Sequence, residues 1–192
     1  MHGDVKPGNI LVARDIERDD MSISLADFGF ARFAASDDEL VKVTRSEPWE
    51  APEWSHREFT LSDAKKMDMY SFGLVCLWLF FKDRKLGHWD LTLATVHMAF
   101  AARGSLAFKK LQFEKHAEGG ILLLATELVN THEFDDVEVG SRLKRVFELT
   151  LAQNPGERAS SMKQLIDILC DEPYRPYVWQ NLHSSYRTHT SN

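Results

Sequence analysis

The 192-residue sequence is short of several things, and each shortage removes a class of protein. It holds two cysteines, Cys76 and Cys170, each in an apolar stretch of helical character. Two such residues do not make a disulfide framework, and they lack zinc-ligand spacing; both read as buried small hydrophobes in a reducing compartment. The eight histidines show no ligand spacing either, which disfavours a histidine-based metalloenzyme. Lysine and arginine number 23 against 29 acidic residues, giving a net charge of -6, and no basic run occurs. A nucleic-acid partner is therefore not expected. The longest apolar run, Phe72 to Phe81, contains Gly73 and is too short to span a bilayer. The first ten residues have no basic segment followed by an apolar run, so they do not read as a signal peptide. The expectation is an intracellular, cytoplasmic protein with no membrane partner. No G-x-G-x-x-G occurs anywhere in the chain, and no internal repeat is visible.

What is present is ordinary for a globular domain, with 44% hydrophobic and 27% charged residues. Two strands are expected at Ile10 to Ala13 and Ser22 to Ala26, flanking a charged turn from Arg14 to Asp20. The region from Phe33 to Ser46 has no helical period and reads as a long loop. Met67 to Phe81 is apolar on all sides, which requires a helix buried on every face, a central pillar; Gly73 weakens it slightly. Further helices are expected at Leu91 to Ala102 and at Ile121 to Val129. Leu143, Val146, Phe147 and Leu151 share one helical face, as do Met162, Leu165, Ile166 and Leu169, with Ser161 and Gln164 as a capping box for the latter. Ser105 to Gly140 is the least legible stretch, and residues from about 177 to 192 read as a loose tail.

The chemistry lies in five short motifs. The chain opens His2-Gly3-Asp4-Val5-Lys6-Pro7-Gly8-Asn9, and Asp27-Phe28-Gly29 follows the second strand. Then come Pro48-Trp49-Glu50-Ala51-Pro52-Glu53, Asp68-Met69-Tyr70-Ser71-Phe72-Gly73 and Asn154-Pro155-Gly156-Glu157-Arg158. Alone, an aspartate and an asparagine five residues apart would be a solvated turn. In this order and context the five resemble the catalytic loop H-R-D-x-K-P-x-N, the D-F-G and A-P-E motifs, the start of the large central helix and the N/D-P-x-x-R element of eukaryotic-type protein kinases.

The resemblance implies an α+β, predominantly helical fold like the kinase C-terminal lobe over residues 1 to 176, with short strands around the catalytic loop and no N-lobe. It implies phosphoryl transfer from ATP with Mg2+ to a protein substrate, and Lys6-Pro7 matches the serine/threonine form. Asp4 would accept the substrate hydroxyl proton, Lys6 would sit beside the γ-phosphate, and Asn9 would ligate a magnesium ion and help hold Asp4. Asp27 would bind the magnesium that bridges the phosphates. Ile10, Leu11 and Val12 would underlie the adenine, Leu11 foremost; a plain core strand fits those three equally. Ser46 would contact Asp4 and Lys6, Glu53 would pair with Arg158, and Asp68 would bond catalytic-loop backbone near His2, itself a packed residue. Phe28 and Gly29 complete the structural set.

Two departures shape the expectation. The Gly-rich loop, its partner lysine and the helix beneath the catalytic loop have no match in this chain, so weak ATP binding, little activity alone and association through exposed apolar surface are expected. Gly3 stands where arginine would contact a phosphorylated loop, so weak dependence on phosphorylation of Ser36, Thr44 or Ser46 is expected. The alternative reading is a non-catalytic kinase-like interaction module, or a truncated gene model.

Overall fold

A computed structural model describes residues 1–15, 20–33, 35–86 and 91–170. The expected tail and the centre of the Arg14 to Asp20 turn lie outside the described residues. Among the described residues, three two-stranded antiparallel sheets accompany six α-helices.

The first sheet is a hairpin of β1 (Ile10–Asp15) and β2 (Asp20–Leu25), in register Ile10 to Leu25 and Val12 to Ile23. The second joins β3 (Leu40–Lys42) to β4 (Glu58–Thr60). β3 falls in the stretch expected to be all loop. Its partner lies 16 or more residues away, so no local pattern announces it.

α1 (Leu61–Phe81) is the pillar, and it begins six residues before the expected start because Thr60 Oγ1 accepts from Asp63 N at 3.1 Å as an N-cap. Met67, Tyr70, Leu74, Leu77 and Phe81 are buried in the main core. Burial on every face does not extend to the last turn, where Leu79 and Phe80 are exposed. Gly73 permits a close approach: a Cβ there would meet Leu151 Cδ2 at 2.7 Å, along with the Thr150 side chain.

Leu91 to Ala102 is not one helix. β5 (Lys85–Leu86) pairs with β6 (Leu91–Thr95), and only then does α2 (Val96–Ala101) start, capped by Thr95 Oγ1 on Met98 N at 3.3 Å. The threonine favours the cap over the helix interior. The illegible stretch holds α3 (Leu106–His116), capped by Ser105, and α4 (Gly120–Thr131), which carries Ile121, Leu124, Ala125 and Leu128 into the core. α5 (Val137–Thr150) buries Leu143, Val146 and Phe147. In α6 (Met162–Leu169) only Leu165 is buried. Its capping box does not form: Ser161 makes no side-chain cap, and Gln164 Oε1 instead accepts from Ser160 N at 2.8 Å. Cys76 is largely buried, and burial pushes its thiol up to about 12; Cys170 is exposed at the end of α6, against the expectation.

No helix among the described residues is long and apolar enough to cross a membrane. Exposed apolar side chains gather on the hairpin and beyond it (Leu11, Val12, Met21, Ile23, Phe28, Phe33), and Leu79 and Phe80 add to them at the end of the central helix.

Candidate active site

The loop before β1 is fixed from below by α1. Asp68 accepts from His2 N at 2.5 Å and from Gly3 N at 2.9 Å, so one half-buried carboxylate satisfies two consecutive backbone donors. Burial raises the pKa of Asp68, and the two N–H groups and the N-terminal ammonium only partly offset that. Gly3 has φ +82°, a left-handed conformation natural to glycine, and a Cβ there would lie 2.9 Å from Phe30 O. His2 is buried, with Nε2 bonded to Ala26 O at 3.0 Å and Nδ1 accepting from Asp4 N at 3.3 Å. Those partners fit a neutral ring protonated on Nε2, which packs edge-on against Phe28 with 5.0 Å between ring centroids.

Asp4 is the centre of the loop and is 4% exposed. Its Oδ2 accepts from Lys6 Nζ at 2.7 Å and from Asn9 Nδ2 at 3.0 Å, and Asn9 Nδ2 also donates to Asp4 O at 2.9 Å. Its Oδ1 is buried and has no hydrogen-bond partner. Burial by itself would raise the pKa of Asp4; the hydrogen bonds from Lys6 and Asn9, the nearby Ser46 hydroxyl and the charge of Lys6 outweigh it and hold the carboxyl below its ordinary value. Lys6 Nζ also reaches Ser46 Oγ at 3.2 Å. Asp4, Ser46, Thr44, Trp49 and Glu50 line a small 20 Å³ cavity, with room for about one water.

Asp27 is brought alongside by backbone: Ala26 N donates to Asn9 O at 2.8 Å. Asp27 has φ 60°, uncommon outside glycine, and its carboxylate accepts from Gly29 N at 3.3 Å. It is exposed and makes no hydrogen bond to Asp4 or Lys6, whereas Asp4, Lys6 and Asn9 are bonded to one another. Among the described residues no cluster of three or more His, Cys, Asp or Glu could hold a metal.

The expected adenine-contacting trio does not share a surface. Residues alternate along β1, so Leu11 points to one side of the hairpin and Ile10 and Val12 to the other. Leu11 and Val12 are 57% and 61% exposed, so the plain-core alternative fails for both. Ile10, with Ile23, Leu25, Met69, Phe72 and Met162, lines an apolar groove of 560 Å³ on the far side of the loop.

Glu53 and Arg158 meet in a two-pronged ion pair, Nη1 to Oε1 at 2.5 Å and Nη2 to Oε2 at 2.9 Å. This ties the end of the Val43 to Glu53 segment to the core. Sequence reasoning missed a second tie. Lys115 of α3, 1% exposed, donates to Pro48 O at 2.6 Å and lies 3.3 Å from Glu50 Oε1. Its signal was legible: Ala107, Leu111 and Lys115 follow at intervals of four, placing a lysine on the buried stripe of α3.

A mostly helical lobe with this loop on its pillar is a class many families could share, and comparison with known proteins narrows it. The model of the protein kinase domain matches residues 1–174. The chain belongs to the protein kinase family. It is 38% identical over 77 residues to the leucine-rich repeat receptor-like protein kinase TDR of Arabidopsis thaliana, covering 40% of this chain and 7% of that protein. A putative serine/threonine-protein kinase/receptor of Acanthamoeba polyphaga mimivirus is 37% identical over 75 residues, 39% of this chain and 4% of that protein. The sporulation protein kinase mde3 of Schizosaccharomyces pombe is 37% identical over 78 residues, 39% of this chain and 14% of that protein. The matched stretches thus span only a small part of these curated relatives.

Proposed function

We propose that this chain carries the proton-accepting and metal-binding half of an ATP-dependent kinase that phosphorylates serine or threonine in proteins. The supporting observation is the asymmetry of Asp4: Oδ2 is held by Lys6 and Asn9, while the buried Oδ1 has no partner. A carboxylate fixed at one oxygen presents the other as the acceptor for a hydroxyl proton. Its depressed pKa keeps it ionised at neutral pH, and Lys6 beside it supplies a positive charge for a transferring phosphoryl group. Because Oδ1 is covered, a hydroxyl reaches it only when the wall formed by Thr44, Ser46 and Trp49 shifts.

Magnesium fits the donors present. Asn9 spends its amide N–H groups on Asp4, which leaves its carbonyl oxygen as the unused donor, and Asp27 offers a carboxylate. Hard oxygen donors suit a hard cation, which when bound neutralises phosphate charge. The 192 residues contain no Gly-rich phosphate loop, so nucleotide affinity of this chain alone is weak on this reading.

The test tolerates weak binding. Manganese with ATP, added as a paramagnetic stand-in for magnesium, should broaden the amide resonances of Asn9 and Asp27, and Asp27→Asn should abolish the effect. Phosphotransfer to a serine/threonine peptide mixture should fall by roughly 10²–10⁴ in Asp4→Asn. Unbroadened resonances at millimolar nucleotide, or equal turnover in Asp4→Asn and wild type, would overturn the reading.

A further inference from the structure

We propose that Lys115 is a positioning residue for the protein substrate: reaching from α3, it sets the height of the Glu47 to Glu50 segment against Asp4. This rests on the phosphotransfer reading above. The segment forms the wall of the cavity that Asp4 lines, with Ser46, Trp49 and Glu50 all contributing. A substrate chain delivering a hydroxyl to Asp4 must pass over that wall, so whatever fixes the wall fixes the approach.

Three elements hold it. Ser71 Oγ of α1 donates to Trp49 O at 2.7 Å, and Arg103, after α2, donates through Nη2 to Glu47 O at 3.0 Å. The Trp49 ring stacks on Phe100 with 4.8 Å between centroids. Lys115 is the deepest of the ties and the only one that spends a buried charge. Its ammonium bonds the Pro48 carbonyl and faces Glu50, whose other oxygen, Oε2, is buried without a partner. The charged groups around this pair are Glu50 and Glu47 from the segment, Arg45 just before it and Arg103 from the turn after α2, and the neutral Tyr70 phenol of α1 faces it as well. Burying a lysine is costly, and here the cost is enough to pull its pKa down to about 8 despite Glu50. A methionine would fill the same stripe without that cost, so packing alone does not explain a lysine at this position. The directed bond to a backbone carbonyl of the loop does.

The measurement is amide hydrogen exchange at pH 7 on the whole 192-residue chain. In Lys115→Met, exchange at Trp49, Glu50 and Ala51 should accelerate roughly tenfold or more, the size of a lost hydrogen bond to a charged group, while Asp4 to Asn9 and α4 keep their protection. Lys115→Arg, which keeps charge and donors, should recover part of it. If Lys115→Met does not fold, Glu50→Gln replaces it with the same expectation. Unchanged loop exchange, or acceleration spread evenly over all helices in both variants, overturns the proposal, because the lysine then supports nothing or supports the whole lobe. In kinetics, the peptide KM should rise about tenfold with the ATP KM unmoved. Absence of manganese broadening at Asn9 and Asp27 defeats the kinase reading, and the exchange result still judges the loop contact independently.

Discussion

Arg158 spends every donor it has. Nε bonds Ala152 O at 2.8 Å, Nη1 bonds Glu53 and Lys66 O, and Nη2 bonds Glu53 and Gln153 O. Its guanidinium also lies 4.7 Å from the centre of the Tyr70 ring. Five donors in a rigid plane match this set of acceptors, and a lysine ammonium brings three without the fork. Arg158→Lys therefore strands carbonyls and half of the Glu53 carboxylate in a site where the arginine side chain is 0% exposed. Breaking a buried pair costs about 3–5 kcal/mol, and the 21% exposure of the Glu53 side chain puts this case near the lower end. Urea unfolding should show a loss of about 3 kcal/mol with an unchanged slope. A loss below about 1 kcal/mol would mean that solvent replaces the fork.

At the scale of elements, the same residues show what a sequence can and cannot announce. α1 was legible because an all-round apolar stretch needs no knowledge of its neighbours, and α5 because Leu143, Val146 and Phe147 repeat at helical spacing. The loop on Asp68 was legible as a motif, residue types in order. β3 and β6 were not, since each is defined by a partner strand rather than its own period. The side on which Leu11 stands was not either, because a short apolar run does not show which of its residues face the core. Gly73 is the sharpest case. Sequence alone reads it as a weakness in a helix, whereas the structure shows α1 and α5 touching through it. Gly73→Ala gains about 1 kcal/mol of helix propensity and loses about 1–3 kcal/mol to overpacking against Thr150 and Leu151. The contact with Leu151 at 2.7 Å is too close to relax freely, so the loss wins. Thermal unfolding should shift down by several degrees; a stabilised variant would show that the two helices part at little cost.

For the whole molecule, three buried groups set how stability varies with alkaline pH. Lys115 titrates near 8 in the folded chain and near 10.5 when exposed. Between those values the unfolded chain holds a proton that the folded chain has released, so stability rises with pH across that window. Cys76 acts in the opposite sense: its thiol is pushed from 9 to about 12, so the folded chain keeps a proton that the unfolded chain loses, and stability falls as pH climbs from 9. Tyr70, buried and raised above its ordinary 10, adds to that fall at still higher pH. Their sum rises from pH 8 to 9, where neither Cys76 nor Tyr70 has begun to titrate, flattens where Lys115 and Cys76 oppose, and declines above about 10.5. Each group contributes at most one proton, about 1.4 kcal/mol per pH unit. Urea midpoints measured at half-unit steps for wild type, Lys115→Met and Cys76→Ala separate the contributions by difference, which cancels the exposed groups common to all three. Lys115→Met should remove the rise between pH 8 and 9 and leave the later fall, and Cys76→Ala should delay the fall. A rise that survives in Lys115→Met would place the titrating group elsewhere and return Lys115 to an ordinary solvated pKa, which its 1% exposure argues against.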